Sequence, residues 1–334
     1  MNVAGDDQES TWSIRLGRDS DGPALIALIA ACWAVYPGLR MDVDREMPEL
    51  HALAAYYQGA LWVAQRGHRV VGMIATRPLG EDVWETCRVY VDPTLHGSRL
   101  AHELLDTAEG HALRHGARRF VLWTDTRFQR AHAFYEKRSY IRHGGIRVLH
   151  DLSASLEFGY AKPVDGIEAL DAASATSAER RLSDILIACV ADGASVSFLP
   201  PLDPGKARAF YRRVSTQVAI GQRLLLAGWR RGVLVGTVAL DLDTPENQPH
   251  RAEVQKLLVH PVARRSGLGR EMMHQVEMHA RAAGRTLLTL DTWAGSAGEA
   301  LYRAASWHEA GRIPGFALDA EGNAQDTLFF WKKV

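Results

Sequence analysis

The chain has no charge of one sign to spare: its 334 residues carry 39 basic and 39 acidic side chains, a formal net charge of zero. No long-range field therefore favours nucleic acid or an anionic membrane. It has only three cysteines, Cys32, Cys87 and Cys189, far apart and in apolar contexts. That excludes a disulfide framework and predicts buried thiols in a reducing compartment. No apolar run approaches a membrane span, and the acidic, polar start MNVAGDDQES has no signal-peptide core. A cytoplasmic protein without membrane or nucleic-acid partners is the expectation. Metal chemistry also lacks support. Fourteen histidines are present, with His111/His115 and His274/His279 on helices, but there is no HExxH and no cysteine cluster. No metal site is expected.

What the chain does have is a strand, a glycine loop and a helix in succession between His250 and Gly284. Val254, Leu257, Leu258 and Val259 read as a largely buried strand. His260-Pro261 ends it, because proline cannot donate to the ladder. Arg264-Arg265-Ser266-Gly267-Leu268-Gly269 follows, then a helix with Met272, Met273, Val276 and Ala280 on one face. This order suits an anion held by main-chain N–H groups at a helix N-terminus. The third glycine of a dinucleotide loop is missing, as is the G-K-[ST] of a P-loop.

The chain also repeats itself. Glu85 and Glu253 lie 168 apart, as do Pro93 and Pro261; Asp125-Thr126 and Asp291-Thr292 lie 166 apart, and Tyr135 and Tyr302 lie 167 apart. A near-constant offset over four landmarks means two copies of one α/β unit of about 165 residues. Residues 1–11 read as a disordered tail, 12–162 as the first copy and 163–334 as the second. Each copy alternates strands and helices, predicting a mixed, twisted central sheet flanked by helices. In the first copy, Asp19 or Asp21 is expected to cap a helix with Pro23 in its first turn, and HALAAYYQ to form another. In the second copy, helices are expected over 179–191 and DPGKARAFYRRV, with a hairpin turning at Arg231-Gly232.

With Arg264, Gly267 and Gly269 in that context, the loop resembles the R/Q-x-x-G-x-G/A acetyl-CoA loop of the GNAT acyltransferases. The resemblance covers nearly all of both halves and implies tandem GNAT domains. The second half is similar to the tabtoxin-resistance acetyltransferase group, on runs such as HRAEVQKLLVHP, RRSGLGREMM and LLTLDTWAGSAGEALYRAASW. The first half resembles GNATs that acetylate amino-terminal amines, with ACWAVYPGLRMDVD its most distinctive run.

Acetyl transfer to an amine needs a neutral amine, a stabilised oxyanion and a proton for the departing thiolate. A lysine-like amine has a pKa near about 10, so a carboxylate must take its proton. Glu253 lies on the strand before the loop, and Asp291 ends the next strand, TLLTLD, where open α/β sheets bind ligands. The resemblance makes either of them the base and leaves open which. It makes Tyr302 the acid that protonates the coenzyme A sulfur, and a backbone N–H from Leu257, Leu258 or Val259 the oxyanion donor. Arg264, Arg265, Ser266, Gly267, Leu268, Gly269 and Arg270 would hold the phosphates, mostly through main-chain N–H.

The first copy departs from this pattern. Its loop is His96-Gly97-Ser98-Arg99-Leu100-Ala101, with arginine at the place of Gly267. A left-handed backbone there would cost Arg99 about 1–2 kcal/mol. The first copy therefore reads as a decayed or altered cofactor site. The expected activity is acetyl transfer from acetyl-CoA, in the second half, to the primary amine of a small amino-acid-like or antimetabolite molecule, in self-protection or antibiotic resistance. The rivals are a peptide or protein N-acetyltransferase and a non-catalytic acyl-CoA-binding protein. The two halves are expected to pack together, and the sequence leaves a homodimer open.

Overall fold

The computed structural model describes residues 12–334; the expected disordered tail lies outside the described residues. The first copy runs β1 (Ser13–Leu16), α1 (Gly22–Trp33), α2 (Val43–Glu46), α3 (Leu53–Tyr56), β2 (Leu61–Arg66), β3 (Arg69–Pro78) and β4 (Val83–Val91). It continues through α4 (Leu100–Arg114), β5 (Arg119–Asp125), α5 (Gln129–Lys137), β6 (Ile141–Val148) and β7 (Leu156–Pro163). The second copy runs β8 (Gly166–Leu170), α6 (Ala172–Ala191), α7 (Pro204–Ala219), β9 (Arg223–Arg230), β10 (Val233–Asp241) and β11 (Arg251–Val259). It ends with α8 (Leu268–Ala282), β12 (Leu287–Trp293), α9 (Ala297–Ala304), β13 (His308–Leu318) and β14 (Ala324–Lys333).

Each copy builds a seven-stranded mixed sheet, and the two orders are the same. One is β1-β2-β3-β4-β5-β7-β6; the other is β8-β9-β10-β11-β12-β14-β13. In each, the fourth and fifth strands pair parallel, through a helical crossover. The duplication extends to an irregularity. In β11, Thr237 of β10 faces Leu258 but Ala239 faces Gln255, so Lys256 and Leu257 together oppose Val238. In β4, Arg88 and Val89 oppose Ile74 in the same way. Lys256 and Arg88, 168 apart, both have a left-handed φ of 53°.

The compact units are not a single cut of the chain. Ala133–His143 belongs with Lys162–Val334, and Gly144–Ala161 with the residues before Ala133. Within the second unit, Trp229 Nε1 donates to Ser139 O (3.0 Å), and Ile141 joins the core under α6 and α7. That core covers one face of the second sheet; a core under α8 and α9 covers the other. Gly236 on β10 lets α8 in close. A Cβ there would stand 2.9 Å from Leu268 Cδ2 and from Met272 Sδ. The small residue thus seats the first turn of α8, and with it the loop, directly on the sheet.

Local differences from the sequence reading have physical causes. Strand β8 and the first two turns of α6 were not expected. Asp171 starts α6 by accepting from Ser174 N (2.8 Å), a cap eight residues ahead of the helix read at 179. The HALAAYYQ helix shrinks to the single turn α3 behind a 3-10 turn over Pro48–His51. Asp21 holds the N-cap position of α1, but its carboxylate goes to Arg15 (2.7 Å) and to Arg18 N. All three cysteines are free thiols. Cys189 is buried, whereas Cys32 and Cys87 are only half-buried.

Candidate active site

Strands β11 and β12 pair only over Arg251–Glu253 with Leu287–Thr289. Beyond Glu253 they diverge, so alternate backbone groups of 254–259 face a gap instead of a strand. The side chains at the mouth follow from the two-residue period. Ala252, Val254, Leu288 and Leu290 face the α8 core. Glu253 and its register partner Thr289, and then Asp291, therefore share the opposite face.

The structure brings the two expected acids together there. Burial raises the Asp291 carboxyl above the usual aspartate range, and the charge of Glu253 adds to the shift. Asp291 is solvent-exposed by area yet crowded by protein, as a side chain on the wall of a crevice is. Glu253 is half-buried and accepts from Gln255 Nε2 (2.9 Å), whose own oxygen accepts from Arg223 (3.0 Å). Among the described residues neither Glu253 nor Asp291 is in an ion pair.

Tyr302 is buried on α9 among Trp307 and Phe330. Burial pushes its hydroxyl well above the ordinary tyrosine range, and the charge of Asp291 adds to that. Among the described residues the hydroxyl has no hydrogen-bond partner. Its oxygen is not fully buried, so it is free to meet a group that enters the crevice. Tyr302→Phe is expected to leave the melting temperature and coenzyme A affinity unchanged. Turnover should fall by up to about 10²-fold, the low end of what a positioned acid supplies, because the thiolate already leaves well. Melting curves and steady-state rates on one preparation check this.

In the loop, Gly267 takes φ 82° as the N-cap of α8, and Arg265 takes φ 61°. A Cβ at Gly267 would meet nothing closer than Glu271 Oε1 at 3.6 Å, so backbone shape and not space selects glycine. No main-chain N–H of residues 265–270 has an acceptor among the described residues. That leaves six donors at the N-terminus of a 15-residue helix. These features fit the pyrophosphate of acetyl-CoA. Most of the loop's side chains are engaged elsewhere or face solvent. Arg264 pairs with Asp192 at the end of α6, Ser266 Oγ donates to Ala263 O (2.6 Å), and Leu268 is a core residue. Arg265 and Arg270 are exposed. Leu258 is buried in the α6/α7 core, while Leu257 and Val259 pack partly against the α8 core.

The first copy places the same residue types in the same register and neutralises them. Glu85 is buried and paired with Arg77 (2.6 Å), directly across on β3. At the equivalent cross-strand place in the second copy stands Asp241, which itself takes Arg223 (2.8 Å). Asp125 is buried against Arg127 (2.6 Å), and Arg88 pairs with Glu49. The loop differs too. Arg99 takes φ −77°, so it avoids the left-handed strain expected of it. Ser98 N turns back to Leu95 O (3.1 Å), and Leu100 N donates to Ser98 Oγ (3.3 Å), which uses up two of the donors. Beside this loop, a cavity of about 440 Å3 is lined by Tyr36, His96, Arg127, Gln129 and Arg130 among others. Glu85→Gln should therefore lower stability by about 1–3 kcal/mol, for a broken buried pair, without slowing acetyl transfer. Chemical denaturation together with a rate assay reads both effects.

The histidine pair is packing. The rings of His111 and His115 lie 4.2 Å apart, with Trp84 against both. Sequence reasoning missed Lys256, whose ammonium feels both Asp291 and Glu253. The signal was present: Arg88 and Lys256 are cations at the same offset as the two glutamates.

The model of the acetyltransferase (GNAT) family matches this chain twice, over residues 25–140 and 197–305. The chain belongs to the GNAT acetyltransferase family. Members draw their acetyl group from acetyl-CoA, and the two matches fall one in each copy. Among curated proteins, an IAA acetyltransferase of Azospirillum brasilense is 36% identical over 95 residues, 28% of this chain. The match spans 60% of that relative's length. Among solved structures, yncA of Salmonella typhimurium, a putative acetyltransferase with acetyl-CoA, is 18% identical at a TM-score of 0.43. It covers 51% of this chain and 94% of its own. A phosphinothricin acetyltransferase of Sinorhizobium meliloti in complex with acetyl-CoA is 18% identical at 0.44, covering 51% and 89%. No helix among the described residues is long and apolar enough to cross a membrane.

Proposed function

We propose that the second copy, residues 163–334, transfers acetyl from acetyl-CoA to the primary amine of a small amino-acid-like molecule, and that the first copy does not catalyse. One observation carries this reading. Two acids, Glu253 and Asp291, flank the same strand divergence, and neither is in an ion pair, whereas Glu85 and Asp125 are each bound by arginine. Acetyl-CoA supplies the thioester. The donors of residues 265–270 hold its phosphates, and main-chain N–H groups of 257–259 reach its carbonyl oxygen.

The protein's own groups handle the protons. Glu253 and Asp291 attract the ammonium, and one of them takes its proton. The amine nitrogen then bonds to the acetyl carbon, the carbon–sulfur bond breaks, and the sulfur leaves with the electron pair, to be protonated by Tyr302. The two proton sites are coupled. Burial first, and the charge of Asp291 second, hold the Tyr302 hydroxyl up. A proton on Asp291 removes that second, smaller contribution.

The likeness of the second copy to the tabtoxin-resistance group supports an amino-acid-like or antimetabolite substrate and a role in detoxification. The test is thiol release from acetyl-CoA over a panel of free amino acids, simple amines and peptides with free N-termini. Release confined to peptides would move the activity to protein N-acetylation. Binding of acetyl-CoA with no release on any amine would leave only a sequestering protein.

A further inference from the structure

Lys256 is placed by the bulge. Before it, the even-numbered residues Ala252 and Val254 face the α8 core; after it, Leu258 faces the α6/α7 core. The extra residue shifts the strand by one position, and Lys256 is the residue at the shift. Without the bulge its side chain would enter the α8 core. With it, Lys256 stands on the face that carries Glu253 and Asp291, at the cost of a left-handed φ. Bulges beside active sites commonly re-aim a side chain in this way.

The ammonium there is under-used. It is half-buried and has three donors. One goes to Ser197 Oγ (3.1 Å), on the loop between α6 and α7. Among the described residues nothing accepts from the other two. The counterpart in the first copy has no such freedom, since Arg88 is paired with Glu49. The other charged groups on that face are Glu253 on its own strand, Asp291 on β12, Arg251 at the paired end of β11, whose guanidinium goes to Gln248 Oε1 (2.9 Å) and Thr289 Oγ1 (3.2 Å), and the pair of Arg223 on β9 with Asp241, Arg223 being held also by Gln255. One available cation thus faces two available carboxylates across a single crevice.

We propose that Lys256 sets substrate specificity by binding a carboxylate on the molecule whose ammonium is taken by Glu253 and Asp291. The substrate class is then free amino acids, not simple amines. This rests on the acetyl-transfer reading above and extends it. A carboxylate arriving at Lys256 would occupy the two spare donors with charge-assisted bonds and offset the burial that now opposes the ammonium.

The experiment measures kcat/KM for matched pairs, each an L-amino acid and its decarboxylated amine, with the full-length protein. Wild type should favour the amino acid. Lys256→Met should lower kcat/KM for the amino acid by about 10- to 100-fold more than for its amine, mainly through KM, because both members of a pair share any change at Asp291 and only one has a carboxylate to lose. Lys256→Arg should restore part of the preference. Coenzyme A affinity, measured on the same samples, should be unchanged, which shows that the variants are folded. Equal loss on both members of a pair, or a wild-type preference for the amine, overturns the proposal while acetyl transfer stands. Failure of the acetyl-transfer reading is told apart by the wild type itself: no thiol release on either series would sink that reading, and unchanged rates for Glu253→Gln with Asp291→Asn would remove the two acids from it, whatever Lys256 does.

Discussion

Glu253→Gln and Asp291→Asn together should lower turnover on any accepted amine by about 10²–10⁴-fold, the range a positioned general base supplies. Acetyl-CoA binding should survive, because both acids lie on the face away from the α8 core and outside the 264–270 loop. The single variants separate the roles. The one that removes the basic dependence of rate on pH is the base; the other attracts the ammonium. The sign of the pH effect follows from the direction of the Asp291 shift. Its carboxyl is raised, so its charged form fills at a higher pH than for an ordinary aspartate. The rate should rise with pH through that ionisation and fall below it. Stability runs the other way. A carboxyl whose folded pKa exceeds its unfolded value binds more protons when folded. Between the two values the folded state loses stability as pH rises, and above both the penalty is fully present. Asp291→Asn should therefore raise the melting temperature near neutral pH while it lowers the rate, the pattern of a residue kept for chemistry. A purely structural aspartate would lose both.

How much of this was legible follows from what each feature depends on. The duplication was readable because Glu85/Glu253, Pro93/Pro261 and Tyr135/Tyr302 keep nearly one offset, and residue type alone carries that. The loop was readable because only glycine takes φ 82° at little cost, so Gly267 announces its backbone. The bulge was not, since nothing about a lysine or an arginine marks a φ of 53°. The state of the acids was not readable either. Glu85 and Glu253 look equivalent in sequence. What separates them is the residue across the ladder, Arg77 in one copy and Asp241 in the other, and that neighbour appears only once the register is known. The strain expected at Arg99 did not arise, because the loop could move to φ −77° and close on its own donors.

Gly267→Arg should abolish measurable acetyl-CoA binding, or weaken it by at least about 10²-fold. Two effects add. An arginine held at φ 82° costs about 1 kcal/mol, roughly fivefold in a binding constant if it is met only in the bound loop shape. If the loop instead relaxes to the right-handed form seen at Arg99, it turns its N–H groups inward as the first copy does, and the six-donor anion site is lost. The reciprocal Arg99→Gly should not create a second site of comparable affinity, because Ser98 already uses its own N–H and its hydroxyl within the loop. Calorimetric titration of coenzyme A should give one site per chain for wild type and for Arg99→Gly, and none for Gly267→Arg. Binding by Gly267→Arg at wild-type strength would remove this loop from the phosphate role.

The central claim is that two copies of one fold have divided, one keeping its acids free for catalysis and the other binding them to arginine. The most direct measurement is a thiol-release rate for the matched pair Glu253→Gln and Glu85→Gln, the same substitution at equivalent positions, beside wild type and on the same amine. The account predicts a lower rate for Glu253→Gln, which removes either the base or the anchor of the ammonium, and a wild-type rate for Glu85→Gln, with only the latter losing stability. A wild-type rate for Glu253→Gln, with the activity lost instead in a folded Glu85→Gln, would place the chemistry in the first copy and contradict it.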